Sequence, residues 1–311
     1  MVKMKKVLIL GVTGMLGSMI YDYLRRNSEL DIAGTFRDNK SDLIINDNKK
    51  LYQFRANNDI EKQLFSIYNK FDCDYIINAI GIIKPYCKDN DMLGVYNAIV
   101  INALFPHKMI NVVKQINKRI KIIQIATDCV YSGKDGMYNE DAKHDPLDVY
   151  GKTKSLGEVN SENLLNIRCS IIGPEVKGKL SLLEWFLSNP ENSVVKGFSH
   201  HTWNGVTTLQ FAQLCENMII NNIFKSLRKK NYILHFVPNE TLSKFKLLNL
   251  LKEVYNKKCA IEKVNNIGLP INRTLASNYL KIKKSPMKSA LLKLKEYQDK
   301  YYFRNKQRYE F

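Results

Sequence analysis

Short apolar runs alternate with amphipathic stretches along the first half of the chain. The apolar runs predict buried strands at residues 5–10, 30–36, 51–54, 74–80, 121–127 and 166–172. The stretches between them predict helices at residues 15–26, 60–68, 92–116 and 147–163. Because strands alternate with helices, we predict an α/β fold with a Rossmann-type, doubly wound parallel sheet.

The pattern changes after about Pro174, where helical segments dominate and only short strands lie between them. We therefore interpret residues 1–174 as the Rossmann domain and residues 175–311 as a smaller C-terminal α/β lobe. The boundary is soft, because later segments of the chain could return to the first lobe.

The charge balance is strongly basic, with 48 Lys and Arg against 30 Asp and Glu and a formal net charge of +18. Such a charge raises the question of a polyanionic partner. However, the basic residues do not alternate with aromatic residues as in a base-stacking surface. Only the tail at residues 281–308 mixes the two, and an amphipathic closing helix explains it. We predict no nucleic-acid partner.

The spacing of cysteines and histidines indicates whether the chain could bind a metal. The cysteines also indicate the redox compartment, and the length of the apolar runs indicates whether the chain could cross a membrane. None of the six cysteines, Cys73, Cys87, Cys129, Cys169, Cys215 and Cys259, has metal-finger or CxxC spacing. His200 and His201 are adjacent and have no carboxylate cluster beside them, so we predict no metal site. Scattered cysteines indicate a reducing compartment, and no apolar run is long enough to cross a bilayer. We expect a cytoplasmic protein without membrane contact.

Three glycines mark the turn after the first predicted strand. The segment "GVTGMLG" places Gly11, Gly14 and Gly17 between a strand and a helix. Glycines at this spacing permit a tight turn and let backbone N–H groups approach a pyrophosphate at the helix N-terminus. We predict a dinucleotide site there that also includes Thr13, Met15 and Leu16. Residues 1–174 are therefore interpreted as an NAD(P)-binding domain.

The end of the second strand should distinguish the two nicotinamide cofactors. NAD sites usually place an acidic residue there to bind the ribose 2′-hydroxyl. The segment "GTFRD" instead offers Thr35 and Arg37, and a guanidinium suits a 2′-phosphate. We predict NADP, with NADPH preferred over NADH. The alternatives are that Asp38 turns inward and favours NAD, or that Arg37 is an exposed loop residue.

A tyrosine and a lysine four residues apart share one face of the helix predicted at residues 147–163. An ammonium at Lys154 should stabilise the phenolate of Tyr150 and lower its pKa. Such a phenol can protonate a carbonyl oxygen as hydride reaches the carbon. Thr127 stands at the carboxyl end of a predicted strand, where it can hydrogen-bond the same oxygen. We therefore predict that Thr127, Tyr150 and Lys154 are catalytic.

Together these motifs resemble the extended short-chain dehydrogenase/reductase family, and within it the dTDP-4-dehydrorhamnose reductase group. The matching segments are "GVTGMLG", "NAIG", "VINALFPHKM", "TDCVYSG" and "YGKTKSLGE", spread over residues 7–175, and more weakly "WNGVTT". The resemblance implies NAD(P)H-dependent reduction of a nucleotide-linked 4-keto-6-deoxyhexose. It further implies that Asn78, Ala79 and Gly81 lie beside the cofactor and that Lys154 also holds the nicotinamide ribose.

The residue after Thr127 and Asp128 is a cysteine, Cys129. Related 4,6-dehydratases carry glutamate at that position, so dehydration is disfavoured. Fucose- and rhamnose-forming epimerase/reductases resemble this chain in having a cysteine there as an acid/base. Cys129 is therefore a candidate for proton exchange at C3 or C5, or alternatively a small packed side chain. A second acid/base is not evident, since neither Lys177 nor Lys179 aligns cleanly.

Substrate contacts are expected from the loop after the fourth major strand and from the second lobe, which we interpret as the substrate-binding lobe. The candidates are Lys84, Tyr86, Asn102, Trp203 and Asn204. The predicted function is reduction of a UDP- or dTDP-linked sugar to a rhamnose-like or 2-acetamido-6-deoxy product, with epimerisation left open. The alternative is a non-catalytic NADP-binding subunit similar to the regulatory subunit of methionine adenosyltransferase. Extended relatives often pair through the helices at 92–116 and 147–163, which suggests a homodimer.

Overall fold

A seven-stranded sheet forms the centre of the molecule. The computed structural model describes residues 4–38, 50–265 and 268–302. The sheet order is β11-β6-β5-β4-β1-β2-β3, and every neighbouring pair is parallel. Its strands are β1 Lys5–Leu10, β2 Leu30–Phe36, β3 Leu51–Gln53, β4 Tyr75–Asn78, β5 Lys121–Ala126, β6 Leu164–Arg168 and β11 Ile233–His235. The predicted doubly wound parallel sheet is confirmed.

Helices cover both faces of this sheet, because alternate side chains of each strand point to opposite sides. Val7 and Ile9 of β1 belong to the apolar cluster that contains α1 and α7, whereas Leu8 and Leu10 belong to the cluster that contains α2 and α4. These helices are α1 Met15–Leu24, α2 Ile60–Lys70, α4 Phe105–Ile116 and α7 Thr208–Ile220. Burial on both faces explains why the buried residues of β1 and β4 are almost all apolar.

The later part of the chain adds three small sheets and further helices. The sheets pair β7 Ile171–Ile172 with β10 Val206–Thr207, β8 Ser193–Phe198 with β13 Cys259–Val264, and β9 His201–Trp203 with both β12 Leu242–Ser243 and β14 Ile271–Asn272. The helices are α6 Leu182–Leu187, α8 Phe224–Lys230, α9 Lys244–Val254 and α10 Met287–Tyr297, followed by a π-helical segment at Gln298–Tyr302. Strand β11 joins the central sheet from beyond residue 174, and the division of the chain at that residue stays a prediction.

Two predicted helices differ from the observed ones. The helical run at 92–116 consists of α3 Met92–Ala98, a π-helical segment at Ile99–Leu104 and α4. The helix predicted at 147–163 is only α5 Val149–Leu156 and ends before Gly157. A Cβ on Gly157 would lie 1.9 Å from the Asn102 carbonyl oxygen, so the end of α5 fits directly against the π-helical segment. The helix therefore ends at a glycine, a residue typical of helix C-termini, where it meets the π-helical segment.

No helix within the three described ranges is both long enough and apolar enough to span a bilayer. The same ranges hold no group of three or more His, Cys, Asp or Glu side chains arranged to bind a metal ion.

Candidate active site

The carboxyl ends of β1 and β4 meet where the strand order of the sheet reverses, which is the usual ligand position in open α/β sheets. Gly11 follows β1 with φ at +88°, a conformation that favours glycine. A Cβ on Gly17 would lie 2.1 Å from the Gly11 carbonyl oxygen, so the first turn of α1 packs tightly on the loop. No side chain caps α1 at Gly14. The N–H groups of this helix end can therefore donate hydrogen bonds to a phosphate, and the residues present fit a dinucleotide.

Thr35, at the end of β2, holds the glycine turn in place. The Gly11 N–H donates to the Thr35 hydroxyl at 3.0 Å, and the Val12 N–H donates to the Thr35 carbonyl at 2.9 Å. Thr35 is almost completely buried. The hydroxyl thus supports the loop, while its predicted contact with the cofactor stays a prediction.

Two arginines meet one carboxylate beyond the ends of β2 and β3. Arg37 Nε lies 2.6 Å from Asp38 Oδ2, and Arg55 Nη2 lies 2.7 Å from Asp38 Oδ1. All three side chains are exposed. Sequence reasoning found Arg37 but missed Arg55, which comes close only because β3 pairs with β2. Such a pair of guanidiniums suits a phosphate better than a ribose hydroxyl.

The "NAIG" segment follows β4 on the other side of the glycine turn. The Ala79 N–H donates to the Leu10 carbonyl at 3.1 Å, which fixes the segment against the end of β1. The Asn78 amide is buried, donates to Gln124 Oε1 at 3.1 Å and accepts from the Ile80 N–H at 3.1 Å. Gly81 is exposed. Asn78 therefore shapes the loop, and Ala79 and Gly81 lie at the edge where a cofactor would bind.

Helix α5 carries the predicted tyrosine and lysine. Its N-terminus is capped by Asp148, whose carboxylate accepts from the Gly151 N–H at 2.9 Å. Lys154 is buried, and its Nζ donates to the Ile125 carbonyl of β5 at 2.9 Å. Burial lowers the pKa of Lys154 to about 8, and Glu158 and Cys169 act in the opposite direction. The ammonium is thus fixed at the end of β5.

Tyr150 lies beside the end of β5. Burial raises the pKa of its phenol, Cys129 and Asp128 raise it further, and hydrogen bonding with Thr127 acts against them. The expectation that Lys154 lowers this pKa is wrong for this structure, because burial dominates and the ammonium binds the Ile125 carbonyl. The phenol therefore stays protonated at neutral pH, which is the form that can donate a proton.

Thr127, Asp128 and Cys129 form a compact turn at the end of β5. The Thr127 hydroxyl accepts from the Cys129 N–H at 3.2 Å and donates to Asp128 Oδ1 at 3.2 Å. Cys129 Sγ lies 3.8 Å from the same carboxylate oxygen. Burial, followed by the nearby Asp128, raises the pKa of the Cys129 thiol to about 12. Cys129 is consequently a thiol rather than a thiolate at neutral pH.

The predicted substrate residues fall into two groups. Tyr86 is exposed, and Lys84 forms an ion pair with Asp148 at the start of α5. The buried amides serve backbone groups instead. Asn102 accepts from the Ile82 N–H at 2.8 Å and donates to the Ile82 carbonyl at 3.0 Å, and Asn204 makes an equivalent pair with the Leu275 backbone. Asn102 and Asn204 thus hold loops around the site, and their substrate contacts stay predictions.

Two cations from the later part of the chain act on this turn, and sequence reasoning missed both. Lys244, the first residue of α9, places Nζ 5.1 Å from the centre of the ring of Trp203, whose Nε1–H donates to Ser170 at 2.7 Å. Arg273 donates from Nε to the Tyr131 carbonyl at 2.9 Å. Both cations act electrostatically on Asp128. Neither Lys244 nor Arg273 belongs to a local sequence motif, because only the fold brings these residues to Thr127–Cys129.

A glycine turn between β1 and α1, a strand-end threonine and a Tyr–Lys pair on the next helix, all on a parallel sheet, define a Rossmann-type protein of the short-chain dehydrogenase/reductase class. A family model described as the RmlD substrate binding domain matches residues 4–267. The chain therefore belongs to this family, and the resemblance to dTDP-4-dehydrorhamnose reductases is confirmed.

Solved structures with this fold include three named as dTDP-4-dehydrorhamnose reductases. The hypothetical dTDP-4-dehydrorhamnose reductase from Sulfolobus tokodaii is 22% identical to this chain, with a TM-score of 0.68. The match covers 87% of this chain and 91% of the Sulfolobus tokodaii chain. The Bacillus anthracis protein, in complex with NADP, is 17% identical with a TM-score of 0.71, covering 94% and 99%. The Clostridium acetobutylicum protein is also 17% identical, with a TM-score of 0.70 and the same coverage. At these identities the likeness shows the fold alone. No protein of curated function matches the chain in sequence.

Proposed function

We propose that the protein is an NADPH-dependent 4-ketoreductase of a nucleotide-linked 4-keto-6-deoxyhexose. The nucleotide is UDP or dTDP, and the product is a rhamnose-like or 2-acetamido-6-deoxy sugar nucleotide. The observation that carries this proposal is the placement of Tyr150 beside Thr127 at the end of β5, on the helix that carries Lys154. The family supports the same class of reaction. Free thiols at all six cysteines agree with a reducing compartment such as the cytoplasm.

The residues divide the reaction between them. When bound, the cofactor supplies hydride to C4 of the sugar. Tyr150 donates its phenolic proton to the C4 oxygen, and the Thr127 hydroxyl, after it turns away from Asp128 Oδ1, donates a hydrogen bond to the same oxygen while charge develops there. Lys154, whose Nζ donates to the Ile125 carbonyl, would hold the nicotinamide ribose, the role that the family resemblance implies. General acid catalysis of this kind contributes about 10²–10⁴-fold to a rate.

The cofactor of this proposal is NADPH. The glycine turn and the uncapped start of α1 would hold its pyrophosphate. Arg37 and Arg55, which meet at Asp38, would bind the 2′-phosphate. The Bacillus anthracis relative was solved with NADP, which supports this choice. Substitution of both arginines by alanine should raise the KM for NADPH while leaving that for NADH nearly unchanged.

The test is to mix the protein with NADPH and freshly generated UDP- and dTDP-4-keto-6-deoxyhexose and to follow NADPH absorbance. We expect consumption with one of the two nucleotides and a loss of about 10²–10⁴-fold in kcat for Tyr150→Phe. Tyr96→Phe, at an exposed tyrosine on α3, serves as the matched control. An unchanged rate in Tyr150→Phe would overturn the proposal. No turnover, together with co-purification of a synthetase, would favour the regulatory-subunit alternative.

Epimerisation is a separable part of the proposal and depends on Cys129. A thiol with a pKa of about 12 can donate a proton to a carbanion at C3 or C5 but is a poor base at neutral pH, so a second group must first remove the C3 or C5 proton. In heavy water, an epimerising enzyme should leave deuterium at C3 or C5 of the product. Cys129→Ser should abolish that label and spare reduction at C4. Label that persists in the variant would assign Cys129 to packing.

A further inference from the structure

Arg168 of β6 is fully buried and joins several segments of the chain at the end of the central sheet. Its Nε and Nη2 donate to the two carboxylate oxygens of Glu158 at 2.7 and 2.5 Å. Its Nη1 donates to the Tyr131 hydroxyl at 2.5 Å and to His235 Nε2 at 3.2 Å, and Nη2 also donates to His144 Nε2. The five N–H donors of the guanidinium are therefore all used.

Both imidazoles must carry their proton on the nitrogen that faces away from Arg168, because a guanidinium only donates hydrogen bonds. In His235 that nitrogen is Nδ1, which donates to the Ala276 carbonyl at 2.8 Å. In His144 it is also Nδ1, which donates to the Ser155 hydroxyl of α5 at 2.6 Å. Each ring is thus neutral and held in one tautomer by its second hydrogen bond.

Of the two imidazoles, His144 is the one that takes up a proton first as the pH falls. His235 is fully buried, and burial lowers its pKa to about 4. The His144 side chain is 27% exposed, so protons from solvent can reach it. Burial and then Arg168 lower its pKa from the ordinary 6.5, while Glu158 and Asp145 act in the opposite direction. The neutral form of His144 therefore dominates at neutral pH and is lost in acid.

His144 connects the two elements that carry the candidate catalytic groups. Through Nδ1 it binds Ser155 on α5, the helix that carries the candidate tyrosine and lysine. Through Arg168 it reaches Tyr131, whose N–H donates to the Asp128 carbonyl at 3.1 Å and closes the turn after β5. The neutral ring therefore holds α5 against this turn.

A proton on His144 Nε2 changes these contacts. It removes one acceptor of Arg168 and sets an imidazolium against a guanidinium, and like charges repel. Glu158 Oε2 lies 3.6 Å from His144 Nε2, so the carboxylate would be drawn from the guanidinium toward the ring. Protonation therefore loosens the link between α5 and the turn.

We propose that His144 is a positioning residue that holds α5 against the turn after β5 while its ring is neutral, and that its protonation lowers the rate of the enzyme in mildly acidic solution. The inference rests on the proposed function, since the rate is that of ketone reduction. His144 acts through Arg168 and Ser155 rather than on the reacting atoms. A merely structural histidine would leave the pH profile of the rate unchanged.

The first test is kcat against pH, from about pH 5 to pH 8, for the wild type, His144→Gln and His107→Gln. Glutamine does not titrate, yet its amide can accept from Arg168 and donate to Ser155. Wild-type kcat should fall about tenfold per pH unit below the pKa of His144, and this acid limb should move to lower pH in His144→Gln. His107 is the matched control, because its Nε2 lies 2.9 Å from the Leu156 carbonyl of the same helix, and its variant should keep the wild-type limb.

The second test is NMR of the whole ¹⁵N-labelled protein, which does not depend on turnover. The chain has five histidines, and the imidazole signals lost in His144→Gln assign His144. We expect a ring protonated on Nδ1 that titrates below pH 6.5, and backbone amide signals of Ser155 and Tyr131 that shift with the same pKa. In His144→Gln these amide shifts should be absent.

Each result separates the role of His144 from the reaction itself. A neutral ring protonated on Nε2, or amide signals that do not follow His144, would overturn the proposal. The expected amide shifts without ketone turnover would reject the proposed function and support the coupling of α5 to the turn. Turnover with an acid limb that stays in place in His144→Gln would do the reverse.

Discussion

At the scale of single residues, burial controls the ionisation of the candidate catalytic groups. It raises the pKa values of the acids Tyr150 and Cys129 and lowers that of the base Lys154. Each shift favours the uncharged form, as expected when a group leaves water. The phenol is thereby kept as a proton donor, and the lysine titrates near the physiological range. The ionisation of Lys154 is then sensitive to any charge close to it.

Glu158 is the charge that most supports the Lys154 ammonium. It is four residues further along the chain, raises the pKa of Lys154, and forms a buried ion pair with Arg168, whose Nε donates to Glu158 Oε1 at 2.7 Å. Cys169 also raises that pKa. Because activity needs the ammonium, the rate should fall as pH rises through about 8. In Glu158→Gln the pKa of Lys154 drops, so this alkaline limb should move to lower pH.

The measurement is kcat against pH for the wild type, Glu158→Gln and Glu162→Gln. Glu162 is exposed, so its variant should retain the wild-type profile. Loss of the ion pair with buried Arg168 should also lower the free energy of unfolding, by about 3–5 kcal/mol if the guanidinium is left uncompensated. A purely structural role would lower stability and rate without shifting the alkaline limb, and that result would contradict the electrostatic role.

At the scale of elements, the glycine turn offers a comparison within one loop. A Cβ on Gly17 would lie 2.1 Å from the Gly11 carbonyl oxygen, but a Cβ on Gly14 would meet the same atom at 3.5 Å, an ordinary contact. Gly17→Ala should therefore displace backbone and lower the free energy of unfolding by about 1–3 kcal/mol. Gly14→Ala should cost less than about 1 kcal/mol. Chemical denaturation measures both, and equal losses would contradict the close-approach argument.

The elements also show what a local pattern can and cannot specify. The apolar runs located β1, β2 and β5 to within a residue, because buried parallel strands are nearly continuous in apolar residues. The end of α5 and the π-helical segment Ile99–Leu104 were missed. Both depend on how two helices meet, and hydrophobic periodicity contains no information about that contact.

The contact at Gly157 can be tested directly. Gly157→Ala would place a Cβ 1.9 Å from the Asn102 carbonyl oxygen, so either α5 or the π-helical segment must move. We expect a loss of about 1–3 kcal/mol in the free energy of unfolding and a lower kcat, because α5 carries Tyr150 and Lys154. The control is Lys152→Ser, at an exposed position on the same helix, which should leave the position of α5 unchanged. Wild-type kcat and stability in Gly157→Ala would show that the packing is looser than the structure indicates.

At the scale of the whole molecule, the sequence was informative about the central sheet and poor about the later part of the chain. The glycine turn, Thr127 and the Tyr150–Lys154 pair are local motifs, so they could be recognised before any fold was known. No such signal marks Arg55, Lys244 and Arg273. Strand pairing brings Arg55 to the site, and the packing of the later part of the chain brings the other two. Site residues in local motifs at strand ends can therefore be predicted from the sequence. Site residues that only the fold brings close cannot.

The surface of the molecule carries one more whole-molecule prediction, because apolar side chains are exposed along α3, the π-helical segment and α5. The exposed side chains include Met92, Leu93, Tyr96, Ile99, Leu147 and Leu156, and Met92 is 88% exposed. These helices contact one another, so their exposed apolar groups lie on neighbouring parts of the surface, and monomers rarely leave large apolar patches open. The family resemblance suggested a homodimer that pairs through these same helices. We therefore predict that a second copy of the chain covers this surface. Light scattering should then give twice the 36.1 kDa of one chain.

The double variant Leu93→Glu and Leu156→Glu should dissociate this dimer, because carboxylates at an apolar interface are left desolvated and unpaired. Leu292→Glu, at an exposed leucine on α10, controls for the added charge and should leave the mass unchanged. The candidate active site is built from one chain, since Thr127 follows β5 and Tyr150 and Lys154 lie on α5 of the same chain. The dissociated variant should therefore keep a measurable kcat. A wild-type mass of one chain at micromolar concentration would contradict the dimer without affecting the proposed reaction.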